Sequence, residues 1–127
     1  MSPRPNFPKR VFQVAGTYGV IVLAPQYLIE TGLLPAPAAP LARPELFYGF
    51  VGLALVWQFA FFLIATDVRR YRPLMLISVF EKLAFGVPAA ALFAQGRVGA
   101  DVLAVGSIDL VLGALFVLSY RLTPPAP

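Results

Sequence analysis

Residues 46–66 read LFYGFVGLALVWQFAFFLIAT, and the next six, 67–72, read DVRRYR. The first stretch holds no charged residue over a length that, as a helix, crosses roughly 30 Å of hydrocarbon. The second turns abruptly basic, as a loop at a membrane surface does. Spans of a membrane β-barrel would be about 10 residues of alternating polarity, and no such alternation is present. Three further stretches of the same kind, 11–29, 73–94 and 101–120, flank this one. The spacing predicts an all-α fold: an integral membrane four-helix antiparallel bundle, one transmembrane domain over residues 1–127. Short connections favour the up-down-up-down order.

Composition agrees. The 127 residues are 59% hydrophobic and 13% charged, with a mean hydropathy of +0.79. A soluble domain carries about 25% charged residues, and a disordered chain is poor in apolar ones. The chain has no His and no Cys. Thiolate- or imidazole-bound metal, haem and iron–sulfur centres are therefore excluded, as are Ser-His-Asp and Cys-His catalysis. No cofactor, no metal and no catalytic residue is expected.

The basic residues orient the bundle. The first tail carries Arg4, Lys9 and Arg10, the loop 67–72 carries Arg69, Arg70 and Arg72, and Arg121 follows the last span. Four spans put these seven on one side and only Arg43 and Arg97 on the other, which predicts that both termini are cytoplasmic. The charge distribution thus reads as topology, with no nucleic-acid partner. Tyr27, Phe47 and Tyr48 fall at the outer interface, and Tyr71 and Tyr120 at the inner one. The proline-laden tail 1–10 reads as irregular, and the linker 30–45, with Leu33-Leu34-Pro35-Ala36-Pro37-Ala38-Ala39-Pro40, is too rich in proline for helix. Ala36-Pro37-Ala38 looks like a small-residue cleavage site, but the apolar run before it exceeds the roughly 7–15 residues of a signal core. It reads as a retained span.

The strongest chemical signal is charge at membrane depth. Counting rise per residue, Lys82 lies about 13 Å from the inner end of its helix and Asp109 about 18 Å. Gln58 and Tyr18 come out at about 12 and 10 Å. A lone charge there costs at least ~2.5–3.5 kcal/mol, so Lys82 and Asp109 are expected to pair, with Gln58 and Tyr18 supplying hydrogen bonds. Glu81 points about 100° from Lys82 and either joins the cluster from its flank or bends toward the arginines. Gly106 and Gly113 beside Asp109, and Ser78, Phe85, Gly86 and Ala89 beside Lys82, give faces small enough for close approach. Tyr18, Gln58, Glu81, Lys82 and Asp109 are the candidate site, either a ligand-binding group or a buried polar cluster that fixes register.

Other features read structurally. Pro25 and Pro88 sit inside spans whose neighbours absorb the kink. Ala15 and Gly19 suit close internal packing. Trp57, Phe59, Phe61 and Phe62 read as a bilayer-facing aromatic surface.

The stretch Pro44-Glu45-Leu46-Phe47-Tyr48-Gly49-Phe50-Val51-Gly52, opening a span after a proline-rich outer loop, resembles the DoxX-like group of small bacterial membrane proteins. The four-span layout and the basic loop after the second span share that resemblance. It implies a four-helix membrane bundle, in a group where some members are linked with redox or accessory roles beside larger enzymes. The Glu81-Lys82 pair and Asp109 do not belong to that pattern. Trp57, Glu81 and Asp109 can also be set beside the sterol-isomerase-like group, at a different spacing.

Three functions follow from this. The first is a non-enzymatic accessory subunit of a larger membrane complex, because four helices make a thin bundle. The second is binding or transport of an apolar small molecule or proton at the midplane cluster. The third is an isomerase with Glu81 or Asp109 as acid/base. The expected partners are the lipid bilayer and a protein partner or a second copy of the chain. Arg outnumbers Lys eight to two among many Ala and Pro, which suggests a bacterial inner membrane as the location.

Overall fold

Successive helices α1 (Asn6–Glu30), α2 (Pro44–Thr66), α3 (Arg72–Ala94) and α4 (Ala100–Leu122) run antiparallel. All four are long and apolar enough to cross a membrane, as in a small multi-pass membrane protein. The computed structural model describes residues 6–35 and 41–127. Arg4, residues 36–40 of the proline-rich linker and the cleavage-like Ala36-Pro37-Ala38 lie outside that range.

Helix ends follow local chemistry. Pro44 and Pro73 occupy the first turns of α2 and α3, where a missing N–H breaks no intrahelical bond. At the end of α3, Gly96 takes a φ of 71°. There the Arg97 N–H donates back to the Leu92 carbonyl at 2.9 Å. This is the left-handed close that glycine allows without a side-chain penalty. One expectation is corrected: residues 6–10 are helical, not an irregular tail. Pro8 falls within the first turn of α1 and is buried there, so its ring anchors the helix start without interrupting a helix.

The helices form two intimate hairpins, α1 with α2 and α3 with α4, and the hairpins touch each other much less. Small residues set the close seams. A methyl added at Gly106 would lie 2.6 Å from the Ala89 Cβ, and one at Gly86 would lie 2.7 Å from the Leu110 side chain. Gly16 packs on the Phe62 ring and Gly19 on Gln58, the internal packing expected for the Ala15–Gly19 run. Backbones this close gain dispersion contacts, the main attraction left between helices when the surroundings are also apolar.

The two halves of the bundle differ. At the end carrying Lys9, Arg10, Arg69, Arg70, Arg72 and Arg121, hereafter the basic end, the hairpins join through a solid core. Phe12, Phe61 and Phe116 are each fully buried, with the Phe12 and Phe116 rings stacked at 4.3 Å and Phe61 edge-on to Phe116 at 5.0 Å. Met75 of α3 completes the layer. Phe61 therefore departs from the bilayer-facing reading, whereas Phe59 keeps it at 60% exposure. The basic loop is also more than a topology signal. Arg72 Nε donates to the Tyr120 and Thr123 carbonyls at 3.2 and 2.6 Å, its guanidinium lies 3.7 Å over the Tyr120 ring, and Arg69 donates to the Pro125 carbonyl. These bonds satisfy carbonyls that the end of α4 leaves without helical partners. Outward faces are largely apolar, with Ile21 66% and Phe80 69% exposed.

Candidate functional site

Above the aromatic layer, toward the end opposite the basic one, the four helices diverge around a cavity of about 540 Å³. Tyr18, Gln58, Glu81, Lys82 and Asp109, one or two from each helix, all stand on its wall. Sequence depth alone had placed these five near one level, and the fold turns them toward one space.

Lys82 sits at the base of the cavity, 3% exposed. Its Nζ lies 3.5 Å from Asp109 Oδ1 across the α3–α4 seam and 3.6 Å from Glu81 Oε2 on its own helix. It also lies 5.1 Å from the centre of the Phe61 ring, which floors the site. The expected Lys82–Asp109 pair is present, and Glu81 takes the first of its two courses, joining from the flank. Serine, glycine and alanine on the Lys82 face (Ser78, Gly86, Ala89) are buried against α4, and Gly113 leaves room for the Lys82 stem.

Gln58 does not serve the pair as expected. Its Nε2 donates to the Ala54 carbonyl of its own helix at 2.6 Å, and its Oε1, held against Gly19, has no hydrogen-bond partner among the described residues. Glu81 Oε2 likewise accepts no hydrogen bond. Both unmet groups are acceptors. An unpartnered buried acceptor costs roughly 1–3 kcal/mol, so a donor brought to either oxygen would be favoured.

The wall departs from the sequence reading in part: Phe50 is not among the expected site residues and Trp57 turns from the bilayer to the cavity, whereas Phe85 shares the space of Lys82 as its helix face predicts. Phe50 of α2 and Phe85 of α3 lie 5.7 Å apart with their planes tilted by 37° where the hairpins meet, and with Trp57 they give the cavity an aromatic side. Asp101, in the first turn of α4, adds a carboxylate to the wall. Among apolar neighbours on every side, nothing in the pattern separates a cavity-facing Phe from a lipid-facing one. Beyond the cavity, Tyr27 gathers Phe47 and Tyr48 at 6.5 and 5.9 Å, the aromatic group expected at that end.

No family model, curated protein or solved structure matches the chain.

Proposed function

We propose that this is a membrane-embedded binding protein that holds a small, largely apolar molecule in the cavity between its hairpins. The observation that carries this reading is the coincidence of an apolar-walled space with two unmet buried acceptors and a charged cluster at its base. Ligand pockets have that make-up: apolar walls and a few placed polar groups. The positive-inside asymmetry orients the basic end to the cytoplasm, so the cavity lies in the outer half of the membrane, for which a bacterial inner membrane is the setting we propose.

The accessory-subunit role, toward which the DoxX-like layout points, is the second reading. Its support is the apolar outer surface, where Ile21 and Phe80 stand free for lipid or a partner helix. Proton handling by the cluster would use the same residues without needing the aromatic wall.

Native mass spectrometry of protein gently extracted from its own membrane separates these readings. Binding predicts the chain alone or as a homo-oligomer with one extra bound mass in fixed ratio, and loss of that mass in Ala54→Phe, which puts a ring into the cavity. Other polypeptides in fixed ratio, with no small mass, would overturn the binding reading in favour of the accessory one.

A further inference from the structure

Granted the binding reading above, the geometry points to an amphipathic cation as the ligand, an ammonium-type head that donates N–H bonds to the cluster and an apolar body lying along the aromatic wall.

Three observations converge. The first is charge. Deep in the cavity wall two carboxylates, Glu81 and Asp109, face the single ammonium of Lys82, and Asp101 adds an exposed carboxylate at its rim. Lys82 stands 3.5 and 3.6 Å from its two carboxylate neighbours, beyond the ~2.7–2.9 Å of a good charge-assisted bond. One cation is stretched between two anions, and a formal negative excess remains. In a site walled by hydrocarbon such an excess is poorly screened.

The second is hydrogen-bonding sense. Gln58 is 1% exposed, its Nε2 is already committed to Ala54, and its Oε1 is free. Glu81 Oε2 has the Lys82 ammonium at 3.6 Å but accepts no hydrogen bond among the described residues. A ligand that offered only acceptors would leave both oxygens unmet, whereas an ammonium supplies donors and opposite charge together.

The third is the wall. Phe50, Trp57 and Phe85 present rings to the cavity, and ring faces attract a cation within about 6 Å of their centres. Lys82 already uses Phe61 this way from below.

The test uses the full chain in phosphatidylcholine nanodiscs and three probes with one body: bromooctylammonium, bromooctanol and bromooctanoate. Trp57 is the only tryptophan and stands on the cavity wall, so bromine seated there quenches the protein's tryptophan emission. The cation is expected to quench saturably at a concentration at least about tenfold below that of the alcohol, with no saturable quench from the carboxylate. Glu81→Gln should narrow the gap to under about threefold, and Ala54→Phe should abolish the saturable part. If the alcohol or the carboxylate matches the cation, the inference fails and the cavity remains a binding site. If no probe quenches saturably, the binding reading fails with it. Should Glu81→Gln not fold, the ranking of the three heads on the unaltered chain still decides. Phosphatidylethanolamine added to the discs separates two sources of the head. Competition with the probe assigns it to a lipid headgroup, and indifference assigns it to a free amine.

Discussion

The same four helices build a solid half and a hollow half. At the basic end, Phe12, Phe61 and Phe116 interlock and the two hairpins become one body. A few turns away the hairpins part around an apolar space whose base is charged. The difference lies in where bulk sits on each helix. Rings from α1, α2 and α4 meet in the solid half, while Gly19 and Ala54 face the hollow one and α3 contributes a lysine and a glutamate. A membrane protein gains little by burying apolar surface, since lipid is equally apolar, so packing must hold it together. The solid half can therefore carry the stability while the hollow half gives up packing to form a site.

The division predicts unequal costs. Phe116→Ala should lower stability by about 3 kcal/mol or more, because Phe12 and Phe61 each lose a ring partner and the rigid layer cannot close the void. Leu53→Ala, which removes a side chain 69% exposed on the hollow half, should stay within about 0.5 kcal/mol. Unfolding in mixed micelles with rising sodium dodecyl sulfate measures both, and equal losses would break the distinction between the halves.

The charged base sits at the border, and its response sharpens the comparison. Lys82→Met strands two carboxylates, at ~2.5–3.5 kcal/mol for a lone charge at depth. Asp109→Asn leaves Lys82 still beside Glu81 and should cost well under that. Converting Lys82 and Asp109 together to apolar residues strands Glu81, so tolerance is expected only when all three become apolar, as for buried ionic clusters replaced whole. The same unfolding titration reads the series. If the double apolar change is as well tolerated as the triple, Glu81 is not part of the cluster.

How much of this the sequence discloses depends on the kind of property. Span length and charge placement are one-dimensional, so the four helices are legible, and boundaries move outward, most at α1, which begins at Asn6, and less at α2 and α3, which begin at Pro44 and Arg72. Depth is legible by the same counting, which is why Tyr18, Gln58, Glu81, Lys82 and Asp109 surface together. Rotation is not. In water an apolar stripe marks the buried face, but here Phe59 and Phe61 belong to one aromatic run and only one is buried. The cavity is harder still, since emptiness depends on how far apart hairpins stand, and the walls Phe50, Trp57 and Phe85 come from two different hairpins. The bond from Arg72 to the end of α4 joins residues 48 and 51 positions apart, and the dense basic run hides it by having a sufficient reason in topology.

A modest effect is the most diagnostic, because its sign depends on occupancy. Gln58→Leu removes an amide whose oxygen has no partner and whose nitrogen bonds only within its own helix. Without ligand the change should stabilise the bundle, by about 1 kcal/mol, since a buried unmet acceptor disappears and the leucine stays apolar against Gly19. With bromooctylammonium present, the wild-type oxygen gains its donor and the leucine variant cannot. The order of stabilities should then reverse, along with a several-fold loss of tryptophan quenching. A core glutamine kept only for packing would show the same sign in both conditions. A crossing of the two unfolding curves as probe is added therefore separates an acceptor waiting for a donor from one that is merely buried.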